Sequence, residues 1–323
     1  MKDVMKLFNS VVLLGICFLT ASCSINRMAI NAVSNALTGT GSADVFTSDP
    51  DYYLVGDALP FAIKMYETLL SQNPRHEGLL VTTGSLFIMY ANAFVQAPAE
   101  MLDPVFDFHQ RSFAMDRAKE LYLRGYGILM SAFEYRFPGF SEARVENGTL
   151  QPILQRLRKD DVPLLYWTAA GGLAAYSIDL FDFSLGARIP EWSALMARAY
   201  ELEPDYNNGA IDEFYILFYA ALPESFGGNR DRAEFHFNRA LELSRGLSAG
   251  TYVSWAMVVN VPDEDYDGFR ENLEKALAID PDEDESIRLL NIIAQRRARH
   301  LLENAHEHFY FLPYPGSDDN WDY

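Results

Sequence analysis

AIKMYETLLSQNP, residues 62–74, is the stretch on which the fold turns. Ala62, Tyr66 and Leu69 stand 4 and 3 residues apart, so they share one helix face, and Pro74 follows 5 residues later, where a helix must end. The small residue lets a neighbouring helix approach, and the ring fills the space beside it. The same template returns as Trp192, Met196, Ala199 and Pro204, and as Phe269, Leu273, Ala276 and Pro281. Ala233, Phe237 and Ala240 match with Arg245 where proline would stand, and Ala118, Tyr122 and Gly125 match the first three positions. Between the first positions of successive units lie 56, 74, 41 and 36 residues.

This pattern resembles the second helix of a tetratricopeptide repeat, and Gly84 and Phe87 fall where the next unit's first helix wants a small residue and an aromatic. Only the last intervals approach the ~34 residues of a regular array. The expectation is therefore an all-α fold of degenerate helix-pair repeats with insertions, stacked into one compact domain over residues 49–308. Breakers at Asn73-Pro74, Phe137-Pro138-Gly139, Glu203-Pro204, Gly227-Gly228-Asn229 and Asp280-Pro281 mark the inter-helix loops.

The N-terminus reads as an export signal. Lys2 and Lys6 precede the apolar run LFNSVVLLGICFLT at residues 7–20, which is shorter than the ~20 residues a spanning helix needs. The run ends in LTASC, which resembles a bacterial lipobox with Thr20 where Leu is usual. Residues 1–22 are then a signal peptide, Cys23 carries covalent lipid (palmitate among its acyl chains), and residues up to 48 form a polar tether. Cys17 leaves with the signal and Cys23 is acylated, so disulfides, thiolate metal sites and cysteine nucleophiles drop out. The formal charge is −19, and losing Lys2, Asp3 and Lys6 (+1 together) makes it −20, which argues against nucleic-acid partners and against docking on anionic lipid. Membrane attachment is expected through the lipid alone.

RAKELYLRG (117–125), DVPLLYWTAA (161–170), LMARAYELEPDYNNGAIDEFYILFYAALP (195–223), FHFNRALELSRG (235–246), LEKALAIDP (273–281) and LLNIIAQRRARHLLENA (289–305) together resemble the T component of tripartite ATP-independent periplasmic (TRAP) transporters. The resemblance implies a lipid-anchored, periplasm-facing protein of the bacterial envelope, built from cryptic tetratricopeptide repeats. It further implies a pairing with the solute-binding (P) subunit, a homo-oligomer such as a trimer, and a cavity for an apolar small molecule. Residues 309–323 depart from the family terminus and read as an extension.

Several residues are candidates for ligand or partner binding. GAIDEFYILFYAAL (209–222) is apolar on nearly every face, with Asp212 and Glu213 its only charges beside Phe214. The two acids are expected in a first helical turn, solvated and favoured by the helix dipole; the alternative has Glu213 facing a channel or subunit contact. Tyr166, Trp167 and Tyr206 line a cavity in one reading and wedge between helix pairs in the other. DEDYDGFRENLE (263–274) matches a calcium loop through Asp263, Asp265, Asp267, Gly268 and Glu274, although Arg270 occupies a normally apolar position and the repeat template runs through the same residues. His300, Glu303, His306 and His308 lack the spacing of a zinc protease. With no G-x-S-x-G, P-loop or dinucleotide fingerprint, no enzyme and no cofactor beyond the lipid are expected. Two other readings stand beside the transporter one: an envelope-assembly scaffold without a ligand, and a calcium-dependent module.

Overall fold

The computed structural model describes residues 31–39, 44–224 and 227–312; the signal segment, Cys23 and residues 313–323 lie outside them. The domain is all-α, with no strand among the described residues. Among the described residues ten principal helices carry it: α1 (Tyr52–Gln72), α2 (Glu77–Glu100), α3 (Phe108–Arg136), α4 (Val162–Ile178), α5 (Ile189–Leu202), α6 (Ala210–Ala221), α7 (Arg230–Leu243), α8 (Ala249–Trp255), α9 (Tyr266–Ala278) and α10 (Arg288–Glu303). Side chains set the starts. Asp51 accepts from the N–H groups of Tyr53 and Leu54, both at 3.0 Å, to begin α1, and Asn229 accepts from Arg232 at 2.9 Å to begin α7.

Helices that follow one another pack together, from α1 through α5, then α6 with α7, then α8 with α9 and α10. The template residues make these contacts. Ala118, Tyr122, Trp192, Met196, Ala199, Ala233, Ala240, Phe269, Leu273 and Ala276 are all buried. Backbones meet most closely at Gly84 and Gly125, where a Cβ on Gly125 would stand 2.7 Å from the Gly84 carbonyl oxygen. α2 is apolar and long enough to cross a membrane, yet α1 and α3 cover it and more than half of its most apolar 18-residue stretch is buried.

The row of helices closes on itself. Leu289 of α10 shares a core with Val55, Leu59 and Ile63 of α1. Arg288 donates to the Ser48 carbonyl at 2.7 Å, and Arg297 pairs with Glu100 at 3.0 Å. Glu100 in turn accepts from Gln96 at 2.8 Å, and Gln96 accepts from the buried Tyr122 hydroxyl at 2.6 Å. That chain of bonds fixes the π-helical turn Asn92–Gln96 inside α2. Phe309, at the start of the stretch assigned to the C-terminal extension, is buried against Phe269 at 5.0 Å.

His308 lies beside Phe269, and burial holds its imidazole below the usual range. The unfolded chain therefore binds the proton more readily, so stability rises with pH between the lowered folded value and about 6.5. The expected result is a melting temperature that climbs from pH 5 to 7.5 in the parent and climbs less in His308→Gln. Parallel curves for the two proteins would remove His308 from the account.

Candidate functional site

Two places in the fold concentrate the candidate side chains. The first lies where α4, α6, α7 and α8 meet. The chain enters it through a tight reversal, with Asn207 and Asn208 at φ 45° and 53° and Gly209 at φ 108°, a left-handed run that suits Asn and Gly. A Cβ at Gly209 would stand 3.2 Å from the Ala240 Cα, so glycine also allows α6 to start hard against α7.

Asp212 does sit in the first turn of α6, but it is fully buried, which corrects the expectation of a solvated acid. The reason is α7, which covers that turn. Asp212 Oδ1 lies 2.6 Å from His236 Nδ1, and Oδ2 lies 3.4 Å from Arg239 Nε without an aligned hydrogen bond. Arg239 also pairs with Asp205. The His236 ring is stacked on Tyr215 at 4.7 Å and on Tyr219 at 5.6 Å. Neither His236 nor this aromatic stack was among the sequence candidates. The available signal was position, since His236 stands three residues after Ala233 and four before Ala240, on the buried face.

Glu213 points the other way and is half-buried. Its Oε1 accepts from the hydroxyls of Ser248 and Thr251, each at 2.6 Å, which ties α6 to α8. Tyr166 meets Trp167 edge-on at 5.2 Å and Tyr206 at 5.3 Å. Burial first, and the Glu213 charge second, raise the Tyr166 phenol well above its usual range; burial pushes Tyr206 up to about 12. Phe214 faces elsewhere, stacked on Phe218 at 5.9 Å. So the structure gathers Tyr166, Trp167, Tyr206 and Glu213, and sets Asp212 and Phe214 on other sides of α6.

The four acids of the 263–274 stretch are not gathered. Asp263 pairs with Arg230; Asp265 caps α9 through Gly268 N–H at 3.0 Å and accepts from Asn260 at 2.8 Å. Asp267 and Glu274 are exposed on α9 and flank Arg270. Because the helix already begins at Tyr266, about 10 Å of helix rise separates these two, too far for one calcium shell. Among the described residues no group of three or more His, Cys, Asp or Glu could hold a metal ion.

The second place is one end of the helix row. Phe106 is 84% exposed, Phe181 85% and Phe183 82%, and Val105, Phe108, Phe113 and Leu180 are exposed with them. These residues come from the loop before α3, the first turns of α3 and the loop after α4. Lys119 ties the loop after α4 to α3, bonding Asp179 at 2.8 Å and Asp182 at 3.0 Å. Asp103 accepts from Val105 and Phe106 N–H at 2.8 Å, and Asp182 accepts from Ser184 and Leu185 N–H at 3.1 Å. The Ser184 hydroxyl, with Lys119, lowers the Asp182 carboxyl to about 2. Seven apolar side chains are thus exposed on these loops and on the first turns of α3, an arrangement that marks an interaction surface. VFDFHQRSF and LFDF, apolar residues outside any repeat template, were its trace in the sequence.

With this geometry in place, the comparisons with known proteins decide the family. The family model described as TRAP transporter T-component matches residues 48–309. The chain belongs to that family. It is also 37% identical over 311 residues to an uncharacterized protein of Treponema pallidum (strain Nichols), spanning 92% of this chain and 95% of that relative. As a T component, the protein has a role in a TRAP transport system and an association with the membrane or envelope.

Proposed function

We propose that this T component is a lipid-anchored scaffold that docks the solute-binding subunit of its transporter on the exposed aromatic end formed by Phe106, Phe108, Phe113, Phe181 and Phe183. The observation that carries the reading is that end itself, with large rings exposed on the start of α3 and on two loops, one ordered by Asp103 and the other by Asp182 and Lys119. Its position agrees with anchoring at Cys23. Residues 31–39 lie against the α1–α2 turn, where Asn31 accepts from Asn73 at 2.5 Å and Asn35 meets His76 at 2.9 Å. Cys23 precedes Asn31 by eight residues, a reach of at most about 28 Å. The same turn adjoins the far end of α3, where Arg136 pairs with Glu77 at 3.0 Å. From Arg136 to Phe108 is about 40 Å of helix. An anchor near the turn leaves the aromatic end facing away from the membrane, toward the periplasm. The partly open cluster of Tyr166, Trp167, Tyr206 and Glu213 is the place for an apolar ligand, a role secondary to docking.

The test is the solution mass of the acyl-free chain from Ser24, alone and with the solute-binding subunit encoded nearest to it. The parent is expected to take up the subunit in fixed ratio. Phe106→Ser combined with Phe181→Ser is expected to weaken the complex at least 30-fold, the effect of losing a hot spot of about 2 kcal/mol. Its melting temperature should not change, because both rings are exposed. Unaltered binding by the double variant overturns the docking surface, and a parent that ignores the subunit overturns the role. A mass change in the unmixed chain would instead assign the aromatic end to self-association.

A further inference from the structure

α10 is a basic element in an acidic chain, and its arginines are not all matched by carboxylates. Arg288 is held by Asp282 and Glu285, each at 2.8 Å, and Arg297 by Glu100. Arg296 and Arg299 have no carboxylate partner among the described residues. Both line an open groove of about 390 Å3 between α10 and the start of α1, whose other walls are Pro50, Asp51, Tyr52, Tyr53 and Ile292. The Arg296 guanidinium lies over the Tyr52 ring at 4.4 Å and the Tyr53 ring at 5.1 Å, and donates to the Tyr53 hydroxyl at 3.1 Å. Its Nε is buried with no acceptor. Arg299 stands three residues on, on the same side of the helix and exposed.

We propose that this groove is a binding site for a phosphate-class oxyanion. In a chain of formal charge −19, two arginines three residues apart on one helix repel each other, and neither has an acid partner among the described residues to offset it. The Tyr rings fix Arg296 in place, so little rotamer freedom is lost when an anion arrives. Tyr53 accepts from Arg296 and keeps its own O–H to donate. The one acid in the wall, Asp51, is already engaged by the N–H groups that begin α1. Two guanidiniums on successive turns line the one groove, and together they offer more donors than a planar carboxylate can take up, which suits the several oxygens of a tetrahedral group. The groove joins the first and last long helices, so an occupant would also tighten the closure of the helix row. This inference is independent of docking at the aromatic end, which lies on other residues.

The source of the phosphate is either a free molecule or a lipid headgroup, and two arms separate them. In the first, inorganic phosphate is titrated calorimetrically into the acyl-free chain at constant ionic strength, with chloride as the control. In the second, the chain is sedimented with phosphatidylcholine vesicles, with and without phosphatidylglycerol. The expected result is sub-millimolar binding in one arm, at least tenfold weaker in Arg299→Ala, whose side chain is exposed. Arg296→Lys should weaken it as well, by removing the fixed guanidinium while keeping a charge. Binding of phosphate assigns a free ligand, and selective sedimentation with phosphatidylglycerol assigns the headgroup. Failure in both arms overturns the site, as does an Arg299→Ala variant that binds like the parent, or a chloride effect equal to that of phosphate.

Discussion

Replacing Asp212 with alanine lowers the stability of the domain by about 3–5 kcal/mol, the loss expected when one member of a buried ion pair is removed and the other charge stays behind. The size follows from burial. Asp212 has no exposed surface, and its partners among the described residues are His236 at 2.6 Å and Arg239 at 3.4 Å. Truncation leaves Arg239 tied to Asp205 alone, next to an imidazole without its acceptor. Urea unfolding should show a lower midpoint with an unchanged slope, since the native surface is not enlarged. Asp212→Asn, which keeps an oxygen toward His236 but no charge, should fall between parent and alanine. A loss below about 1 kcal/mol for the alanine variant would mean that the pair behaves like a solvated surface bridge, contrary to its burial. The stake is functional, because the Asp212 contacts set how α6 and α7 meet, and α6 also carries Glu213 to the Tyr166 cluster.

Much of the fold was legible because the helix-packing code is local. A small residue, an aromatic or large apolar residue and a second small one at spacings of 4 and 3 define a face in one helix, and that face is turned inward in each unit, with only Leu69 and Phe237 half-buried among the positions named. The family could be read from blocks of the same kind. Long-range events were not legible. Nothing near Tyr52 in the sequence announces Arg296, because the two meet only when the row closes. Asp212 looked solvated because a first-turn acid usually is, and its covering residues, His236 and Arg239, belong to the next helix. The calcium-like spacing of residues 263–274 failed for a local reason that the template already held, since a helix running through Phe269, Leu273 and Ala276 cannot also be a loop. The exposed phenylalanines fit no periodicity, and their meaning came only once Lys119 of α3 was seen to hold the loop after α4.

A second large effect is expected at Gly172 and Trp192, where α4 and α5 meet, and it takes the form of a cycle. A Cβ on Gly172 would stand 2.3 Å from Cε2 and 2.5 Å from Nε1 of the Trp192 indole. Trp192 is 1% exposed and lies edge-on to Tyr126 at 6.0 Å, so the ring has no open space into which to move. Gly172→Ala is therefore expected to destabilise by about 1–3 kcal/mol through overpacking, although alanine is the better helix former. Trp192→Ala should cost about 3–5 kcal/mol through the cavity it opens. In the Trp192→Ala background the obstacle is gone, and Gly172→Ala should become neutral or stabilising by up to about 1 kcal/mol, the helix-propensity difference. The sign of the glycine substitution thus reverses with the identity of residue 192, a coupling that distant, independent sites do not show. Equal effects of Gly172→Ala in the two backgrounds would show that α4 yields on its own, and that the indole does not set the distance between the helices.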